Sequence, residues 1–215
     1  AWPVRVPLRA SRPLRGWAIS SPSVSIPPMK SITLIALAIL PILTSCESFE
    51  ETPPEVDAGL VRSELGEMRN TTEWGDFYMG GQPTEAELML AAKRGVTRVI
   101  NIRTDAEIES LAFDEAALCA TLELEYIHMP VAWNQLTDED FDLLMNVLNE
   151  ETPGKTLFHC GSGNRVAVFV AAHRVIEAGV SYEDALADAR TAGMKPNSKT
   201  VLEGQLKRLN HTDEE

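Results

Sequence analysis

Several features that would place this chain in a broad class are missing from its 215 residues. The longest mainly apolar run, residues 32–43, is shorter than the ~20 residues that a membrane-spanning helix needs. No internal repeat is visible, and residues 1–45 contain no Asp or Glu. Residues 1–28 also contain no Met and show neither a helical nor a strand period. We therefore expect no membrane span, no repeat architecture and no fold in residues 1–28.

The apolar run has the surroundings of a secretory signal. A single positive charge precedes it, and a Leu-Thr-Ser-Cys sequence follows it and ends at Cys46. This ending resembles the lipobox of bacterial lipoproteins, in which the cysteine is acylated and becomes the N-terminus. We therefore expect a lipoprotein signal peptide at residues 29–45 and lipidation of Cys46. A plain signal peptide with an incidental cysteine is the alternative. Residues 1–28 are then an untranslated or extended N-terminal region.

Basic residues are scarce. The chain has 19 Lys and Arg against 32 Asp and Glu, and five of those bases lie in residues 1–45, so the remainder carries a formal charge of −18. So acidic a surface repels nucleic acid and anionic lipid. We expect no nucleic-acid partner, and we expect membrane attachment through an acyl anchor rather than through charge. Glu47 after the cysteine, by resemblance to lipoprotein sorting, predicts a bacterial lipoprotein that faces the periplasm from the outer membrane.

Composition separates a tether from a domain. Residues 46–72 are acidic and rich in proline, which favours an extended tether. Within them, residues 61–68 fit either a short helix or plain disorder. Residues 73–212 have the length and the apolar periodicity of one compact domain.

Strand and helix patterns alternate through that domain. Strands are predicted at residues 77–79, 96–102, 126–131 and 156–158, and one long helix at residues 105–122. Alternation of strands with helices implies an α/β fold: a central, mostly parallel sheet of about four strands flanked by helices. Ligands of such sheets bind beyond the carboxyl ends of the strands.

The last of these strands ends at the most informative segment. It runs into His159 and Cys160, and a loop of small residues then leads to Arg165 and an apolar helix. Unpaired amides and the dipole at a helix N-terminus favour an anion and the thiolate of a cysteine. An Arg fork matches phosphate or sulfate oxygens. We expect the anion to contact the loop and this arginine: Gly161, Ser162, Gly163, Asn164 and Arg165.

Four segments, in order, carry a resemblance to a known family. They are residues 80–83 (Gly-Gly-Gln-Pro), 99–107 (Val-Ile-Asn-Ile-Arg-Thr-Asp-Ala-Glu), 126–131 (Tyr-Ile-His-Met-Pro-Val) and 159–166 (His-Cys-Gly-Ser-Gly-Asn-Arg-Val). Together they resemble the bacterial protein tyrosine phosphatase-like family related to beta-lactamase hydrolase-like protein, within the dual-specificity phosphatase superfamily. The resemblance implies a protein tyrosine phosphatase-like fold for the domain.

The resemblance also implies an activity and roles. It predicts a hydrolase of phosphate monoesters, acting on a phosphorylated small molecule or protein without a cofactor. Cys160 would attack phosphorus to form a thiophosphoryl enzyme, and Arg165 would hold the phosphoryl oxygens. Phosphatases also need a general acid, but residues 129–136 contain no carboxylate. Asp138 is the tentative acid and Asp105 the next choice.

Two departures from the phosphatase pattern keep other functions open. Four residues rather than five separate Cys160 from Arg165, and Val166 stands where phosphatases carry Ser or Thr. The four-residue spacing is that of single-domain rhodaneses, which suggests a sulfurtransferase with a Cys160 persulfide. The valine and the missing acid suggest instead an anion-binding lipoprotein with little or no turnover.

Other residue types that often carry chemistry have simpler interpretations. His128 and His159 lack the companion ligands of a zinc site, so we expect no metal. His159 is expected to orient the loop, as its counterpart does in phosphatases. Cys119 is expected to be a buried structural thiol, with a disulfide to Cys160 as the alternative. Trp133 is placed either in the cleft or over the core.

Overall fold

The computed structural model describes the backbone of Val4–Val6 together with residues 59–209. The predicted signal peptide, Cys46 and residues 46–58 of the predicted tether lie outside the described residues, as do residues 210–212 of the predicted domain.

One sheet of seven strands forms the centre of the described chain. In chain order the strands are β1 (Val4–Val6), β2 (Val61–Arg62), β3 (Thr72–Trp74), β4 (Phe77–Gly80), β5 (Val96–Asn101), β6 (Glu125–His128) and β7 (Lys155–His159). Their order across the sheet is β1-β6-β5-β7-β4-β3-β2.

The four predicted strands are the parallel centre of this sheet, β6-β5-β7-β4. Their register aligns Asn101 of β5 with His128 on one side and with His159 on the other, and His159 pairs in turn with Gly80. The carboxyl ends of all four strands therefore meet at one edge. The predicted α/β class is confirmed. The strand number exceeds the expected four because β1, β2 and β3 add antiparallel partners at both sides.

Seven α-helices of the described residues surround the sheet. They are α1 (Glu85–Lys93), α2 (Asp105–Glu109), α3 (Glu115–Thr121), α4 (Asp138–Leu148), α5 (Asn164–Ile176), α6 (Tyr182–Thr191) and α7 (Lys199–Arg208), with a 3₁₀ turn at Pro196–Ser198. In the part of the chain that the structure describes, none of these helices has the length and apolarity needed to cross a bilayer.

Buried side chains form two hydrophobic clusters. The larger one packs α4, α5, α6 and α7 together around Phe141, Phe158 and Phe169. The smaller one contains Leu88 of α1 and Cys119 of α3. Ten of the thirteen α5 residues are buried, so this helix is the centre of the larger cluster. Its N-terminus faces the carboxyl end of β7, which fixes the position of the loop between them.

Three local predictions differ from the structure. The helix expected at residues 105–122 is two helices, because Asp114 leaves the helix and caps α3 by accepting from the Ala117 amide. Residues 61–68 are neither helical nor devoid of structure: β2 lies there, and Leu65 is fully buried. The compact body thus extends N-terminal to residue 73. Val4–Val6, where no fold was expected, pairs with β6.

Candidate active site

The sulfur of Cys160 lies at the junction of β7 and α5. The Cys160 amide donates to the Gly80 carbonyl (3.2 Å), which ties the start of the loop to β4. The Gly163 amide donates to Cys160 Sγ at 3.2 Å. A donor at this distance stabilises negative charge on sulfur, as nucleophilic chemistry requires. Cys160 is only 1% exposed.

The loop needs glycine at position 163. Gly163 has a φ of 88°, in the left-handed region. A Cβ there would lie 3.1 Å from the Ala192 carbonyl oxygen and 3.2 Å from Asn70 Cβ. The side-chain amide of Asn70 donates to the Ser162 carbonyl (2.8 Å). Asn70, which no sequence pattern singled out, therefore closes the loop from outside.

The first turn of α5 has no side-chain cap. Its N-cap residue is Gly163, which has no side chain, whereas Thr or Ser or Asp side chains cap α1, α2, α3, α4 and α6. The amides that begin α5 are therefore available to an anion. The Asn164 side chain is anchored at its oxygen, because Oδ1 accepts from the Lys195 amide (2.6 Å) and the Ser198 hydroxyl (3.0 Å).

Arg165 is held from one side. Its Nη1 donates to Glu107 Oε2 (2.8 Å) and to the Val131 carbonyl (2.7 Å), and its Nη2 donates to Glu107 Oε1 (2.6 Å). A guanidinium has five N–H donors. The Nε–H and the second hydrogen of Nη2 remain, and they lie along one edge as a second fork. Glu107 thus orients the arginine and leaves an edge for two anion oxygens.

The charges of this pair reinforce each other. Burial alone would raise the pKa of Glu107, but the hydrogen bonds and charge of Arg165 and the bonds from Thr104 lower it to about 2. Burial likewise opposes the charge of Arg165, and Glu107 and Cys160 outweigh that effect, so its pKa is raised. Glu107 is therefore ionised at neutral pH and has no proton to give a leaving group.

A cavity of about 550 Å³ opens at the loop. It is lined by Thr104, Glu107, Val131, Ala132, Trp133, Gly161, Ser162, Asn164, Arg165 and Lys195. Trp133 also stacks on Phe169, with ring centroids 6.1 Å apart, so it belongs to the cleft and to the core surface at once. Of the predicted anion contacts, Gly161, Ser162, Asn164 and Arg165 line this cavity, and Gly163 supports it from behind.

The tentative acid Asp138 is not brought to this cavity. Its Oδ1 accepts from Gln205 Nε2 (3.1 Å) and lies 3.4 Å from Arg208 Nε, on the side of α7. The carboxylate of Asp105 is 80% exposed and 3.8 Å from His128 Nδ1. Among the described residues, Glu107 supplies the only carboxylate that lines the cavity.

Cys119 and His128 do not line this cavity. Cys119 and Cys160 are both free thiols and belong to different hydrophobic clusters, which opposes the alternative of a disulfide. Burial, with the charge of Glu115, raises the pKa of Cys119 to about 12. His128 Nε2 bonds to the Arg103 carbonyl oxygen (2.8 Å). No group of three or more metal-ligating side chains occurs within the described part of the chain.

Two carboxylates matter more than the sequence indicated. Glu107, the last residue of the 99–107 motif, forms a capping box with Thr104 and also holds Arg165. Glu115 had no expected role, yet its Oε1 lies 2.7 Å from His159 Nε2 with both side chains fully buried. Glu107 follows a strand end, which was a usable signal. Nothing in the sequence around Glu115 indicates its partner.

Together, a parallel sheet, a cysteine at a strand end and an arginine at the start of a buried helix define the protein tyrosine phosphatase-like class. Residues 55–205 match the family model described as DSP-PTPase phosphatase fused to NAD+ kinase, and the chain belongs to this family. The family predicted from the four motifs is thereby confirmed.

Individual relatives agree with this assignment. The chain is 31% identical over 101 residues to the beta-lactamase hydrolase-like protein of Xylella fastidiosa, a match that covers 46% of this chain and 23% of that protein. The chain therefore matches less than a quarter of that relative's length.

Solved structures show the same fold. A DUF442 protein from Shewanella putrefaciens CN-32 superposes with a TM-score of 0.56 at 19% identity, covering 67% of this chain and 95% of that one. TpbA of P. aeruginosa superposes with a TM-score of 0.57 at 18% identity, covering 71% and 98%. A Cys-to-Ser variant of TpbA was solved in complex with pTyr, with a TM-score of 0.56 at 17% identity, covering 71% and 97%.

Proposed function

We propose that the domain hydrolyses phosphate monoesters through a thiophosphoryl intermediate on Cys160. One observation carries the proposal: the open edge of the Arg165 guanidinium, the uncapped amides of α5 and the Gly163 donor to Cys160 Sγ converge at one loop. These groups supply positioning and charge stabilisation for a phosphoryl group. The cavity beside this loop is lined by Gly161 and Ser162, which directly follow the nucleophile, and by Arg165.

The reaction has two displacements. In the first, the Cys160 thiolate attacks phosphorus in line, the S–P bond forms, and the P–O bond to the leaving group breaks with its electron pair on oxygen. In the second, water attacks phosphorus, loses a proton, and the thiolate leaves with inorganic phosphate formed. The Arg165 fork and the α5 amides bind the equatorial oxygens in both steps.

Protonation of the leaving group limits the substrate class. Glu107 is ionised, and Asp138 lies on the α7 side of the domain. A general acid is commonly worth 10²- to 10⁴-fold, so substrates whose leaving group departs without a proton are favoured. Aryl phosphates have that property, and Trp133 offers an aromatic surface in the cavity. The pTyr complex of the related TpbA variant supports the same class.

A series of aryl phosphates tests the proposal. Wild type should hydrolyse para-nitrophenyl phosphate slowly and phosphoserine poorly, with a steep dependence on leaving-group pKa. Cys160→Ser should abolish turnover and keep oxyanion binding, while Arg165→Lys should lose both, since an ammonium lacks the planar fork. Cys119→Ser is the matched control and should retain turnover. Hydrolysis that survives in Cys160→Ser contradicts the proposal.

The four-residue loop supports a second candidate. Because four residues separate Cys160 from Arg165, the loop resembles that of a sulfurtransferase with a persulfide on Cys160. Assaying thiosulfate and cyanide with the same variants separates the two. Sulfur transfer through Cys160 without phosphate hydrolysis would replace the phosphatase proposal. Oxyanion binding with neither reaction would support an anion-binding protein, which Val166 and the absent acid favour.

We also propose, from the sequence, that the domain is tethered to the outer membrane and faces the periplasm. The lipobox-like residues before Cys46 support acylation, and the acidic remainder of the chain does not favour attachment by charge. Cys46→Ala should give a soluble or uncleaved product in cell fractionation. A mutant that fractionates with membranes as wild type does would contradict the tether.

A further inference from the structure

A histidine and a carboxylate are buried together behind the nucleophile. His159 Nε2 and Glu115 Oε1 are 2.7 Å apart, both side chains are 0% exposed, and neither atom makes a hydrogen bond of regular geometry with any of the described residues. The other ring nitrogen, Nδ1, faces the Cys160 carbonyl oxygen at 3.5 Å. The imidazole therefore lies between a carboxylate and the backbone of the nucleophile.

The other oxygen of Glu115 begins a chain of side-chain contacts. Its Oε2 accepts from Asn101 Nδ2 (2.8 Å) and Gln82 Nε2 (3.2 Å). Gln82 Oε1 accepts from Arg103 Nη1 (2.7 Å). Arg103 Nη2 then donates to the Glu107 carbonyl (2.9 Å), and the Glu107 carboxylate orients the arginine of the loop. The contacts are continuous from the histidine beside the nucleophile to the phosphate-binding arginine.

His159 is the basic side chain in contact with Glu115. On its own helix Cys119 is buried, and the Tyr126 hydroxyl lies on β6; burial and the charge of Glu115 raise the pKa of both, so both are neutral. Asp105, Asp114 and His128 line a cavity that Glu115 also lines. Arg103 contacts Gln82 rather than the carboxylate. Burial by itself would raise the pKa of Glu115, but the charge and hydrogen bond of His159, with Gln82 and Asn101, lower it.

We propose that Glu115 is a positioning residue for Cys160: its carboxylate pairs with His159 directly behind the nucleophile and fixes the loop relative to Arg165. The proposal deepens the phosphatase function and rests on it for its catalytic consequence. Little solvent screens this pair from the loop, so positive charge that the Glu115 carboxylate favours on its partner acts on the neighbouring sulfur and favours the thiolate. Glu115 does not touch the substrate and acts only through His159 and the loop.

The test is alkylation of Cys160 by iodoacetamide against pH, read by peptide mass spectrometry. Glu115→Gln keeps the shape and removes the charge. Its alkylation midpoint should move to higher pH by roughly one unit, and turnover of para-nitrophenyl phosphate at pH values below the wild-type midpoint should fall about tenfold, mainly in kcat. Alkylation needs no substrate, so an unchanged alkylation midpoint in Glu115→Gln refutes the positioning role of Glu115 even if the protein hydrolyses phosphate. A midpoint shift without any turnover refutes only the phosphatase proposal.

Glu87→Gln is the matched control. Glu87 is also buried, at 7% exposure, and its carboxylate accepts from the Thr84 and Glu67 amides (both 2.7 Å), away from the loop. It should lower Tm without moving the alkylation midpoint. Glu115→Asp keeps the negative charge, so its alkylation midpoint should move less than that of Glu115→Gln. If Glu115→Gln and Glu87→Gln have the same Cys160 alkylation midpoint, Glu115 has only a structural role and the proposal is wrong.

A milder variant keeps the proposal testable if Glu115→Gln does not fold. Gln82→Met removes one donor from the carboxylate and breaks the contact with Arg103, while the His159 pair stays in place. Its midpoint should move in the same direction by a smaller amount. An unchanged midpoint in this variant would overturn the proposal.

Discussion

At the scale of single residues, partners decide what each carboxylate can do. Glu107 and Asp138 are both carboxylates near a helix start, but the first pairs with the loop arginine and the second with side chains of α7. The pairing keeps Glu107 ionised and gives it an orienting role. Asp138, at the start of α4, faces α7 instead, and its contacts there help to hold α4 against α7.

The first prediction concerns Asp138. Asp138→Asn should leave both the rate and the leaving-group dependence of aryl phosphate hydrolysis unchanged within about twofold, because its carboxylate is engaged by Gln205 and Arg208. The measurement is kcat/KM across phenols of graded pKa. A steeper dependence in the variant would show that Asp138 is the general acid and would contradict this placement.

The second prediction concerns Cys119. A thiol in the unfolded chain ionises near pH ~8.5, whereas the folded pKa is raised to about 12 by burial and by Glu115. A raised pKa contributes stability that is complete below the unfolded pKa and is lost as pH rises towards the folded one. From pH 8 to pH 10, the wild-type free energy of unfolding should fall by about 2 kcal/mol more than that of Cys119→Ala. Urea denaturation at both pH values measures the free energy of unfolding. An equal decrease from pH 8 to pH 10 in wild type and in Cys119→Ala would contradict the prediction.

At the scale of elements, the loop between β7 and α5 depends on a few backbone conformations. The strand supplies the nucleophile and the helix supplies amides and the arginine, so the short turn between them sets their separation. Gly163 is the residue at which this turn becomes a helix, in a conformation that other residues rarely adopt. Ala192 and Asn70 contact it from outside the loop.

The third prediction is therefore a substitution at Gly163. Gly163→Ala should cost about 1–2 kcal/mol for the left-handed conformation, and the close contacts at 3.1 and 3.2 Å should displace the loop and reduce turnover. Gly179→Ala is the control, because Gly179 also has a positive φ (64°) but has open space around it and lies past the end of α5. It should lose similar stability and keep full kcat. Equal losses of kcat would contradict the loop account.

At the scale of the whole molecule, the order of strands brings the site together. The parallel centre puts the ends of β4, β5, β6 and β7 at one edge, so segments distant in sequence meet there. The parallel sheet, the strand ends and the loop could be predicted, because apolar periodicity and small-residue motifs are local signals. The first turns of α1 and α4 rest on equally local signals, since Thr84 and Thr137 form capping boxes with the residues three positions on, Glu87 and Asp140.

Other features depend on contacts that no local pattern encodes. Glu107 and Arg165 meet across 58 positions, and the pair of Glu115 with His159 depends on how α3 packs against the sheet. The break between α2 and α3 was missed because the apolar residues keep a helical period across it. Asp114 nevertheless ends that continuity, since its side chain caps the first turn of α3. The short strands β2 and β3 were missed because they are only two and three residues long.

The central claim is a covalent phosphoryl group on Cys160, and trapping that group tests it most directly. Wild type mixed with para-nitrophenyl phosphate and quenched in acid within the first turnovers should yield a Cys160 peptide heavier by one phosphoryl group. The adduct should be absent in Cys160→Ser and unchanged in Cys119→Ser, and it should disappear once substrate is exhausted, because water completes the second displacement. Turnover by wild type with no adduct on Cys160 at any quench time, or an adduct that persists in Cys160→Ser, would contradict the account.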